Sequence, residues 1–312
     1  MSTTYPSPTP DLAAQVPSGP YREPARRLSP DPRKDGPWRV VVIVIAALVI
    51  GTMVLGAVAA STVRWLDHRS FEEVAATTEL GLPASLTLTS GAANVRVLES
   101  ADAEQVTVAL VEEGATAVPE TGTEVRARVT QQGRASDPVL DVRQPRHYTS
   151  FPGQLSARDL LILVPSGHEL ALDLTTEVGD IRAEGTFTSL DIGTDVGSVR
   201  LTPVSAPEGL TVRSDVGQIE VEVEDPAPGR IEVTGAVGDV DLLLPADAGG
   251  EVLAASDLGE VSVSAPGTGR WEVEATAELG DLRVDPSLTT AEGSPIGTLT
   301  ATSEVGNVVV SR

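Results

Sequence analysis

A six-residue phrase that recurs seven times constrains this chain more than any other feature. It opens as Thr176-Glu177-Val178-Gly179-Asp180-Ile181 and closes as Ser303-Glu304-Val305-Gly306-Asn307-Val308. Its glycines are Gly179, Gly197, Gly217, Gly238, Gly259, Gly280 and Gly306, in steps of 18, 20, 21, 21, 21 and 26 residues. A period near 20 marks a stacked-repeat architecture, in which each unit buries its apolar face only against its neighbours. Counted from the glycine, Val or Leu stands at −1 in all seven units, and apolar residues stand at +2 (Ile181 to Val308) and +4 (Ala183 to Val310). A second alternating pair falls at −7 and −5, as in Leu190/Ile192 and Leu210/Val212. Period-two alternation on both sides of a turn predicts two short strands per unit. The expected fold class is all-β: a β-solenoid of coils of about 20 residues in a single stack of sheet, with the −1, +2 and +4 residues building the core.

The glycine is expected at a turn that needs positive φ or close backbone approach. Pro203, Pro226, Pro245, Pro266 and Pro286 follow the first strand of five coils and should end its pairing at the opposite turn. Trp271, the lone tryptophan in the array, should plug or cap the core where the period stretches. Upstream, Leu86/Leu88 and Val95/Val97 keep the same spacing around Ala93, so the first coil is expected there with Ala93 in the glycine's place. Between Ser100 and Arg158 alternation persists but the period is lost, which predicts irregular coils over 84–165 and regular repeats over 166–312.

Charge and hydropathy organise the rest. Residues 1–39 hold nine prolines and six Lys/Arg against four Asp/Glu, which predicts a disordered, Pro-rich cytoplasmic tail. Val40 to Ala60 runs 21 residues without a charge, long enough as a helix to cross a hydrocarbon core of about 30 Å. The basic residues upstream orient it with the N-terminus in the cytoplasm and the C-terminal part outside the cell membrane. A signal peptide cleaved near Ala57-Val58-Ala59 is the competing reading; the long charged segment and the long apolar run favour an uncleaved, single-pass anchor. Residues 61–83 read as a membrane-proximal stalk, with Trp65 at the interface. The remaining chain, residues 61–312, carries 16 basic against 41 acidic residues, and so dense a negative charge disfavours nucleic-acid binding. There is no cysteine, hence no disulfide and no thiolate chemistry.

Two candidate sites emerge. Position −2 is acidic in six of seven coils, as Glu177, Asp195, Asp215, Asp257, Glu278 and Glu304. Stacked carboxylates repel, and a cation such as Ca²⁺ between rungs would relieve them; the alternative is that the −2 acids and −3 Ser/Thr satisfy turn amides and face water. The segment Arg143 to Ser156 gathers Arg146, His147, Tyr148 and Phe151, the pattern of a binding loop; the alternative is an insertion packing its aromatics on the solenoid flank. No nucleophile elbow, phosphate loop or metal-spaced histidine set occurs, so no catalytic residue and no resident cofactor are expected.

The phrases Leu-x-Ile-x-Val-Pro-x-Gly (Leu160 to Gly167) and Leu-x-Leu-x-Thr-x-Val-Gly-Asp-Ile (Leu172 to Ile181), with the repeats that follow, resemble the bacterial "putative adhesin" β-solenoid family of cell-envelope proteins. The resemblance covers roughly residues 84–312. It implies an exported or membrane-anchored surface protein, with adhesion or envelope-stress sensing as the proposed roles, and it supplies no catalytic residues; the expected partner of this chain is an envelope protein or glycan. Three functions are expected in descending order: an adhesin-like binding module, an accessory or sensor in envelope-stress signalling, and a polysaccharide-active enzyme.

Overall fold

The computed structural model describes residues 71–145 and 158–312. Residues 1–39, expected as a tail, and 40–60, expected as a transmembrane helix, lie outside the described residues; among the described ones, no helix is long and apolar enough to cross a membrane. Val63–Arg312 forms a compact unit with its own continuous hydrophobic core.

Each repeat contributes one strand before its glycine and one after it, as in Gly209–Val216 and Ile219–Val223 around Gly217. The two strands do not lie in one sheet. The strands before the glycines lie in one 11-stranded sheet and those after them in a second sheet of 11 strands, so a coil is one rung of each sheet. This corrects the single stack: alternating residues on both sides of the turn need a facing partner, and two sheets supply it to each other. The pairing is parallel and in register, with Leu190 beside Leu172 and Leu210, and Ile219 beside Val199 and Val240. The +2 and +4 side chains are buried from Ile181 to Val263, as are the −7 and −5 pairs from Leu172/Leu174 to Val252/Ala254.

Ala93 does occupy a glycine position. Ala92 pairs with Val178 and Val95 with Ile181, so the coil at residues 85–100 stacks directly on that of Gly179. The irregular stretch after it is the end cap. Asp137–Arg143 and Asp159–Pro165 extend the two sheets in parallel. Antiparallel strands then close them: Glu124–Arg134 and Glu72–Ala75 in the first sheet, Thr107–Val111 and Thr77–Glu79 in the second. Residues 72–79, expected as stalk, are thus edge strands of the fold. Ending a parallel stack with antiparallel strands limits the edge that could template pairing with another chain.

At the other end the chain leaves sequence order. The coil of Gly306, Pro295–Val305 and Val308–Ser311, inserts between the coils of Gly259 and Gly280. The 26-residue step is the return path: after Leu282–Val284 a helical turn, Ser287–Thr290, carries the chain back across one rung and buries Leu288 against the core. The coil of Gly280 is therefore the terminal rung, which explains why Leu282 is exposed and Val284 only partly buried at its +2 and +4 positions. Trp271 does cap this rung: it is 2 % exposed and lies opposite Gly297, whose missing side chain makes room for the indole. Pro203 departs from expectation, sitting inside Val199–Ser205 at a register shift rather than ending the strand.

Candidate functional site

The glycine edge carries the features that repeat. At Gly217, φ is 152° and an added Cβ would lie 1.9 Å from the Gly197 carbonyl oxygen, so both expected reasons for glycine hold. Just before it, the −3 side chain turns inward and donates its hydroxyl to the preceding rung: Thr194 to the Gly179 oxygen at 3.3 Å, Ser214 to Gly197 at 3.2 Å, Ser256 to Gly238 at 2.8 Å and Ser303 to Gly259 at 2.8 Å. The expectation that these hydroxyls serve turn amides and face water is corrected: they are buried and serve carbonyls. The turn amides go to the +1 side chains instead. Asp180 accepts from the Ser198 N–H at 3.0 Å and Asp239 from the Glu260 N–H at 2.8 Å. The −3 positions continue the inward phase of −7 and −5, the signal that could have placed them.

Gly235 interrupts the hydroxyl column, so the Gly217 oxygen receives no such donor. A Cβ there would meet Val240 at 3.4 Å, an ordinary contact. Gly235→Ser should raise stability by about 1 kcal/mol through one added hydrogen bond and a less flexible unfolded chain. Urea unfolding checks this, and a loss of stability would show that the column is incidental.

The −1 residues overturn the predicted core. Val178, Val196, Val216, Val237, Leu258, Leu279 and Val305 are 43–69 % exposed, because the chain leaves the sheet at the glycine turn and reverses the side-chain phase. They make up seven of the 13 exposed large hydrophobic residues among the described ones, and the stacking puts all seven in one line. At a rung spacing of about 4.8 Å this apolar ridge is about 29 Å long.

Acids bracket the ridge: the −2 column on the side of the first sheet and Asp180, Asp239, Glu260 and Asp281 at +1 on the side of the second. Glu177 is tied by an ion pair to Arg143, which also holds Asp141 at 2.8 Å; the hydrogen bonds to Glu177, and then to Asp141, raise the Arg143 pKa further. The side chains of Asp195, Asp215, Asp257, Glu278 and Glu304 have no partner among the described residues. The −2 acids are strung one to a rung rather than gathered, and among the described residues no group of three or more His, Asp or Glu side chains could hold a metal ion. Bases lie elsewhere, as in the in-register run Arg96, Arg182 and Arg200 on the outer face of the second sheet, where Arg200 pairs with Glu220 at 2.6 Å. On the first sheet, burial, and then the in-register neighbour Asp191, raise the pKa of Asp173.

Arg146, His147, Tyr148 and Phe151 lie outside the described residues. The base of their segment is clamped, since the Gln144 side chain donates to the Arg158 carbonyl at 2.7 Å and accepts from its N–H at 2.9 Å. Beside it a cleft of about 390 Å³ is lined by Phe71, Gly91, Arg128, Asp141, Arg143 and Gln144, with the Arg128 guanidinium 5.5 Å from the Phe71 ring centroid.

Among solved structures, the chain is similar to one described as a "putative cell adhesion protein" from Clostridium sporogenes, at 13 % identity over 77 % of this chain and 99 % of that one, TM-score 0.36. It is also similar to a "putative adhesin" from Bacteroides fragilis, at 14 % identity over 77 % and 97 %, TM-score 0.42. No curated protein matches. Residues 170–311 match the family model described as Toastrack DUF4097.

Proposed function

We propose that this protein is an adhesin-like binding module of the bacterial cell envelope, anchored by residues 40–60, that engages a surface partner along the glycine edge of its solenoid. The observation that carries this reading is the ridge. An exposed apolar line maintained over seven coils costs solubility and adds nothing to the core, and contiguous exposed apolar surface is the usual mark of an interaction site. The anchor and orientation rest on the uncharged run and the basic residues upstream of it.

The test uses the full chain, displayed in cells with a C-terminal reporter, and its Val196→Thr/Val216→Thr/Val237→Thr variant. Threonine keeps β-branching, shape and charge, so at exposed positions stability should stay within about 0.5 kcal/mol per site. The reporter should be accessible from outside, and the triple variant should capture at least about tenfold less envelope material than the wild type. Running both with and without Ca²⁺ tests the cation column. A cytoplasmic C-terminus would remove the anchor reading, and undiminished capture by the variant would remove the ridge.

A further inference from the structure

We propose that the occupant of the ridge is a cationic amphipathic α-helix of a partner polypeptide; this rests on the ridge being the binding edge. Pitch is the first argument. Rungs repeat at about 4.8 Å, an apolar stripe on a helix at about 5.4 Å per turn, and same-face residues of a strand at about 6.7 Å. A helix laid along the ridge drifts about 0.6 Å per rung and stays within one rung over the full length. A strand drifts about 1.9 Å per rung and loses register after two or three. At 1.5 Å per residue, the ridge of about 29 Å takes a helix of about 19 residues, an ordinary length for a helical recognition segment.

Charge is the second argument. Along every turn the apolar residue lies between the −2 and +1 positions, which together present ten acids over the seven coils. Five of the −2 carboxylates have no partner among the described residues, although the fold elsewhere pairs its acids with Arg200, Arg213 and Arg230. A helix whose apolar stripe is flanked by Lys or Arg on both sides offers complementary charge to both columns at once. The same columns would repel each other if two copies met edge to edge, and they would repel an anionic lipid surface.

The probe is an 18-residue Leu/Lys peptide of helical period, compared with a scrambled peptide of the same composition and no stripe, each titrated into the compact unit Val63–Arg312. The periodic peptide should bind at least about tenfold more tightly than the scramble and gain helicity on binding. The Val196→Thr/Val216→Thr/Val237→Thr variant should lose that advantage while its weak, salt-sensitive attraction for the scramble stays unchanged. Asp215→Asn/Asp257→Asn/Glu304→Gln should weaken both peptides. Equal binding of the two peptides, or an unchanged advantage in the threonine variant, overturns the helix. So does a concentration-dependent dimer abolished by the threonine changes, which would assign the ridge to a second copy. If the periodic peptide fails while envelope capture by the full chain still depends on the three valines, only the helical partner falls and the binding edge stands.

Discussion

Gly217→Ala should cost the solenoid about 3–5 kcal/mol, as much as deleting a large core side chain, although it adds a single methyl group on the surface. The added Cβ would sit 1.9 Å from the Gly197 oxygen, 2.5 Å from its carbonyl carbon and 3.1 Å from the Ser198 nitrogen. All three are backbone atoms, so no side chain can rotate away. The residue would also have to leave φ near 152°, a conformation that costs an L-residue about 1–3 kcal/mol. Relieving the clash separates two rungs and strains the bonds between them, among them Gly197 N–H to the Val216 oxygen at 2.9 Å and the Ser214 hydroxyl to the Gly197 oxygen at 3.2 Å. Each is worth about 1 kcal/mol. Gly209→Ala is the control in the same coil: its Cβ would meet nothing within 4 Å, so that change should be neutral or stabilise by up to about 1 kcal/mol. Urea unfolding of the two variants decides it; equal effects would mean that the glycine column is a turn preference and not a contact between rungs.

The repeat phrase made the scaffold legible because two of its constraints are local. Alternation at +2/+4 and −7/−5 names inward positions without knowledge of the neighbours, and those positions are buried from the coil of Ala93 through that of Gly259 and in the coil of Gly306, the terminal rung of Gly280 excepted. The same rule misassigned −1. Counting by twos from −5 and −3 points Val196 and Val216 inward, but the turn at glycine breaks the phase and exposes them, and no residue type at −1 announces the change. The hydroxyls at −3 follow the phase and were readable in it; a preference for polar residues at turns obscured them. Order in the stack was not legible at all. A coil pairs with whatever rung exposes a complementary edge, and repeats of one pattern such as those of Gly280 and Gly306 offer alternative neighbours that sequence spacing cannot rank. The acids at −2 stand one to a rung, and their role depends on what stands between them and the +1 acids, which is the ridge.

Deleting residues 295–312 tests the stack order and should remove two rungs rather than one. If coils followed the sequence, the last one would be an end rung, and its loss would leave the coil of Gly280 seated on that of Gly259. Among the described residues the coil of Gly280 pairs only with the coil of Gly306, Leu282 with Val308 and Val273 with Leu299. Its further ties run to the same segment, since the Arg312 guanidinium donates to the Gly269 carbonyl at 2.9 Å and to the Ser287 hydroxyl at 2.9 Å. The truncation strips the buried Leu299, Ala301, Val308 and Val310 from the core and unseats Trp271. At about 1.5–3 kcal/mol for each large side chain, the loss should exceed the roughly 4 kcal/mol that bounds most single substitutions. Trp271 fluorescence should shift to the red as its ring meets water, and trypsin should cut at Arg270 and Arg283 far faster than in the intact chain. Protection of both arginines in the truncated protein would show that the coil of Gly280 can rest on that of Gly259, and with it that the insertion of the last coil is dispensable to the stack.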